Sequence, residues 1–154
     1  MNFDFLIEPW RVSNRVNLML LVGLDSEVLE IVSRPRARSV GDQFAHLHNA
    51  RLLWLSVAAP DLAEGVSKIG KGEFGSVEDL GRHLRQSAEK VESLLERGFE
   101  SGKIKGYKGS PALFLGYLLA HEAHHRGQIL LTLKLGGYKV PQELQYGIWE
   151  WEKV

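Results

Sequence analysis

The chain has 154 residues, no cysteine, and nineteen basic residues balanced by nineteen acidic ones. These features exclude disulfides, thiolate metal sites and a cysteine nucleophile, and without a basic excess no nucleic-acid partner is expected. The opening "MNFDFLIEPW" lacks a charged start and a long apolar run, and no stretch of about 18 apolar residues occurs, so no membrane contact is expected and the cytoplasm is the expected compartment.

One globular domain, residues 1–154, is expected from this length and composition. Helical periodicity marks four long segments separated by Gly, Pro and Ser. The first runs from about Arg11 to Val32, with Val16, Leu18, Leu20, Leu21 and Leu29 as apolar positions, and ends at Arg34-Pro35. The Arg34 to Arg38 run reads as a solvated loop. The second segment begins at Ser39, a helix cap, and carries Phe44, Leu47, Trp54 and Leu55 until Pro60. The third starts at the Ser76 cap and reaches about Arg97, and the fourth runs from Ser110-Pro111 to Leu135, stopped by Gly136-Gly137. The tail "PQELQYGIWEWEKV" reads as a short extended segment or a lid packing on one end. Four such helices without strand pairs predict an all-α, four-helix bundle.

The fourth segment contains "HEAHHRGQ". Positions four apart differ by only about 40° around a helix, so His121 and His125 stack on one face, one turn apart. The rest of that helix is apolar nearly all round, so its polar groups need partners, and a cation serves two buried imidazoles at once. His124 lies off the stripe. The same letters fit the H-E-x-x-H pattern of zinc proteases, with Glu122 as general base. That reading needs a further ligand, for which Glu143 and Glu150 are the candidates, and a strand edge to align a peptide, which the sequence does not offer. A better third ligand lies in "SVGDQFAHLHNARLLWL" of the second segment. His46 and His48 sit about 200° apart, so one of them faces the bundle, and the helical wheel does not choose between them. Three histidines leave coordination positions open, as in a catalytic site.

These two stretches resemble the DinB/YfiT-like metalloenzyme superfamily. In that family a histidine seven positions after a Ser/Thr cap joins an H-x-x-x-H pair on a later helix. Counting from Ser39, the resemblance implies His46, His121 and His125 as the metal ligands. It also implies up-down-down-up connectivity, a divalent metal such as zinc or nickel, homodimers, and chemistry with a low-molecular-weight thiol.

Among the other candidates, Gln128 on the ligand face is expected to support the metal ligands, as Glu122 does in one reading; in the other, favoured reading Glu122 forms a helix–helix ion pair. Arg51 and Arg126 are candidates for a substrate carboxylate or for ordinary salt bridges. His83 is expected to be solvated, and Trp54, Trp149 and Trp151 to be core or interface. Two functions follow. One is a metal-dependent transferase or hydrolase, in which the cation lowers the pKa of a thiol or water acting on a small-molecule electrophile. The other is a non-catalytic metal-binding or stress-associated protein of the same fold.

Overall fold

The computed structural model describes residues 3–154. Its four long helices are α1 (Asp4–Val22), α2 (Val40–Ala58), α4 (Val77–Ser101) and α5 (Pro111–Leu135), with short helices α3 (Pro60–Ala63) and α6 (Gln142–Gly147) between and after them. Among the described residues there is no strand, only an isolated bridge between Val32 and Ser39. The protein is an all-helical bundle in which α1 and α2 each pack against α4 and α5.

Three of the long helices start where serine caps were read. The hydroxyls of Ser39, Ser76 and Ser110 accept the backbone N–H of Asp42, Asp79 and Leu113, respectively. At Ser76 the Asp79 carboxylate returns the bond, completing a capping box. Helix α4 ends at Gly102, whose φ of 75° is the left-handed conformation that a side chain resists. The first helix differs from its expected bounds of Arg11 to Val32. It starts a full two turns earlier because Ile7 and Trp10 are buried anchors and Arg11 ties back to Asp4 and Glu8 across Pro9. It stops at Val22, and Leu29 is buried from a separate 3-10 turn, Ser26–Glu30.

The apolar core is divided. One cluster contains Val16 and Leu20 of α1, Phe44 and Leu47 of α2, Leu80 and Leu84 of α4, and Ile129 and Leu133 of α5. The other contains Ile7 and Trp10, Leu55, Val91 and Leu95, and Phe114 and Leu118. A belt of buried polar side chains, Ser13, Asn17, Arg51, Ser87, Glu122 and Arg126, draws on every long helix, and on α2, α4 and α5 it lies between the two clusters in sequence. From the tail, Leu144 and Ile148 are buried with the first cluster, and the Val154 carbonyl accepts a bond from Arg15.

Arg51 holds the belt together. Its Nε and Nη2 donate to the two carboxylate oxygens of Glu122 at 2.7 and 3.0 Å. Its Nη1 donates to the Leu84 carbonyl and the Ser87 hydroxyl, and its guanidinium lies 4.9 Å from the Trp10 ring centre. Glu122 also accepts from Asn17 at 2.6 Å. With both partners 2% exposed, removing one leaves an uncompensated buried charge. Glu122→Met and Arg51→Met are each expected to lower unfolding free energy by about 3–5 kcal/mol in urea titrations. The double Arg51→Met/Glu122→Met is expected to lose far less than the sum of the two; strictly additive losses would contradict a coupled pair.

Candidate metal centre

The Ser39 cap sets the start of α2, and His46 follows two turns later. Helix α5, capped at Ser110 with Pro111 at its first position, carries His121 and His125 one turn apart. The two helices pack against each other, and three imidazoles converge. Ring centres lie 4.4 Å apart for His46 and His125, 4.5 Å for His121 and His125, and 5.7 Å for His46 and His121. One nitrogen from each comes within 4.8 Å of the others, so His46, His121 and His125 form a group that could hold a metal ion.

The chemistry of the group fits a cation. His46 Nε2 lies 3.1 Å from His125 Nε2, close to the spacing of about 3.4 Å that two nitrogens adopt around a tetrahedral zinc with bonds of about 2.0–2.1 Å. Burial, then Arg38 and His121, pushes His46 down to about 4. Burial, then His46 and His121, does the same to His125, again to about 4. His121 is lowered as well, chiefly by burial. At neutral pH all three therefore present lone pairs rather than protons, the state that coordination requires. His125 Nδ1 is buried with no hydrogen-bond partner, so the protein gives this ring no second anchor.

Of the two histidines that periodicity left open, His46 joins the pair on α5. His48 turns the other way and is fully buried, its Nδ1 3.0 Å from the His83 carbonyl and its Nε2 2.9 Å from the Ser67 carbonyl. His83, expected to be solvated, is half-buried, with Nδ1 sealed from solvent and its ring 4.9 Å from that of His48. Gln128 does not reach the histidine group. It stands one turn beyond His124 on the exposed stripe of α5 and donates to His124 Nε2 at 3.0 Å, because the i, i+4 partner of Gln128 is His124 and not His125. Glu122 is committed to Arg51, Asn17 and Ser13, which leaves no general base for a protease. Neither Glu143 nor Glu150 belongs to the histidine group. Trp54 is half-buried among Tyr107, Phe114 and Tyr117, whereas Trp149 is 78% exposed.

A cavity of about 280 Å³ opens beside His46, lined in part by Arg36, Arg38, Asp42 and Lys71. The Arg34–Arg38 run, read as a plain loop, therefore supplies two cations to the approach. Its place was the available signal: the run leads directly into the Ser39 cap, two turns before His46 on α2. Arg36 also holds a φ of 66°, uncommon for a residue with a side chain. The far wall of the cavity, around Ile69 to Lys71, is pinned to α2. Asn49 exchanges two hydrogen bonds with the Ile69 backbone, Asp42 accepts from Gly72 N–H, and Phe74 packs so tightly on Gly41 that a Cβ there would lie 2.6 Å from its ring.

The lowered histidines make stability depend on pH in a defined direction. The unfolded chain binds protons on His46 and His125 near their ordinary value of 6.5, and the native one only near 4. Their contribution is thus complete above 6.5 and is lost as pH falls from 6.5 to about 4. Melting temperatures of the metal-free protein are expected to fall through that window, and less steeply in the His46→Gln/His125→Gln variant. Parallel profiles for the two proteins would contradict this.

A family model, described as DinB family, matches residues 2–151. No curated protein and no solved structure matches the chain. Among the described residues no helix is long and apolar enough to cross a membrane. With nearly the whole sequence matched, and with an all-helical structure of four long helices carrying a potential metal site, the chain belongs to the DinB family.

Proposed function

We propose that this protein is a metal-dependent transferase in which His46, His121 and His125 hold one zinc or nickel ion and an anionic low-molecular-weight thiol is transferred to a small electrophile. The observation that carries this reading is the convergence of three neutral imidazoles at the edge of a cation-lined cavity. When bound, such an ion supplies Lewis acidity and lowers the pKa of a thiol or water ligand. The chain's own residues do the selecting. Arg36, Arg38 and Lys71 attract and orient carboxylates beside His46, while Asp42, held by Gly72 N–H, is the one acid on that lining. A cavity next to the group, with no residue of the tail in it, favours catalysis over a closed, non-catalytic metal site.

The same reading takes the chain as a single up-down-down-up domain with its tail packed on the bundle. The order in which the helices cross the two core clusters supports that connectivity, since α1 and α5 run from the Trp10 cluster to the Phe44 cluster and α2 and α4 run back. Burial of Leu144 and Ile148 supports the docked tail. A homodimer in the cytoplasm completes it. Leu53, Val57, Leu113 and Tyr117 leave an apolar surface on α2 and α5 that a second copy would cover.

Cobalt(II)-substituted protein tests the chemistry directly. Mercaptosuccinate and glutathione are expected to change the visible absorption of the cobalt site at concentrations roughly five- to tenfold below those of neutral 2-mercaptoethanol, the size expected of a few exposed charge contacts. Arg38→Gln and Lys71→Gln are expected to erase that preference while the metal stays bound. A cobalt spectrum indifferent to every thiol would contradict the proposed function.

A further inference from the structure

Arg126 is 8% exposed, and among the described residues no carboxylate lies within ion-pair distance of it. Its Nη1 donates to Ser13 Oγ at 3.0 Å and Asn17 Oδ1 at 2.8 Å. Its Nε and Nη2 make no hydrogen bond to the protein, and neither is among the sealed, unsatisfied atoms, so both reach open space. The nearest acid, Glu122, is taken by Arg51 through both of its oxygens. A largely buried guanidinium without an ion-pair partner is costly.

The open space is a cavity of about 560 Å³ between α5 and the C-terminal segment, with Leu130, Ile148, Trp149 and Trp151 as apolar walls and Arg126 as its one charged lining residue. That volume lies within the range of small-molecule sites, and apolar walls with one well-placed polar group are their usual make-up. Two further observations point to an occupant. Trp149 leaves 78% of its surface bare, and the adjoining cavity that shares Leu130, Ile148 and Trp149 adds Lys134 and Lys139 and no acid. Helix α5 opens the floor, since a Cβ built on Gly127 meets nothing within 4 Å.

We propose that this cavity is a second ligand site, for a small amphipathic carboxylate: the apolar body lies against Leu130, Ile148 and the two tryptophans, and the carboxylate meets the free edge of Arg126. A carboxylate supplies the missing counter-ion in the fork geometry that arginine favours. None of the lining residues belongs to the histidine group, so the proposal stands apart from the metal reading.

Titration of the full chain with sodium decanoate, below its micellar concentration, and with decanol tests it by tryptophan fluorescence and calorimetry. Decanoate is expected to bind saturably and at least tenfold more tightly than decanol, the loss of a charged hydrogen-bond pair being worth about that factor. Arg126→Gln is expected to bring the two probes level. Because Arg126 also bonds Ser13 and Asn17, Gly127→Leu provides the control: a Cβ there meets nothing within 4 Å, so the side chain is expected to project into the cavity, to leave the melting temperature unchanged and to weaken decanoate at least tenfold. Equal binding of decanoate and decanol to the wild type, no saturable binding, or unchanged decanoate binding in Gly127→Leu would overturn the proposal. So would a wild-type dimer that ignores decanoate and dissociates on Gly127→Leu, since the cavity would then be a subunit interface.

Discussion

One guanidinium touches every long helix of this bundle. Arg51 projects from α2, stacks near Trp10 of α1, bonds the Leu84 carbonyl and Ser87 of α4, and forks onto Glu122 of α5. Its position in the sequence explains why this matters for the site. His46 lies on the same helix little more than a turn before Arg51, and His121 is the residue next to Glu122. The ion pair therefore fixes how α2 and α5 face each other where the imidazoles meet. Apolar contacts alone tolerate sliding, whereas a bidentate pair has one geometry. The belt that contains it links the four long helices by hydrogen bonds of defined geometry.

The electrostatic consequences divide between two places. At the histidine group, burial, then Arg38 and the neighbouring histidines, lower the proton affinity of His46 and His125, a state compatible with coordination. Across α5, Arg126 is left as the belt's surplus positive charge, because the belt's one glutamate is engaged by Arg51. A single helix thus presents the histidine group on one face and the Arg126 guanidinium on another. This arises from consecutive residues, His125 and Arg126, that point about 100° apart.

Much of this was legible in the sequence. The serine caps gave α2, α4 and α5 their starts, because capping is a local interaction that a few residues specify completely. The i, i+4 spacing of His121 and His125 needed nothing beyond helix geometry. The ion pair of Glu122 was read as well, though not its partner's reach across four helices. What the sequence did not show depends on contacts between distant segments. Periodicity could not choose between His46 and His48, since each lies at an edge of the apolar arc; the loop carrying Ser67 and the carbonyl of His83 claim His48. The first helix starts before Arg11 because Ile7 and Trp10 are buried, a tertiary fact that periodicity does not carry. Gln128 shares the ligand face by spacing, and only the structure shows that its bond goes to His124.

The central claim is that His46, His121 and His125, and not His48, form one metal-binding group. Elemental analysis and zinc titration of the purified chain and four single variants test it most directly. The account predicts about one ion per chain for the wild type and for His48→Ala, with binding weakened by orders of magnitude in His46→Ala, His121→Ala and His125→Ala. Undiminished metal in His125→Ala, or a larger loss in His48→Ala than in His46→Ala, would contradict it.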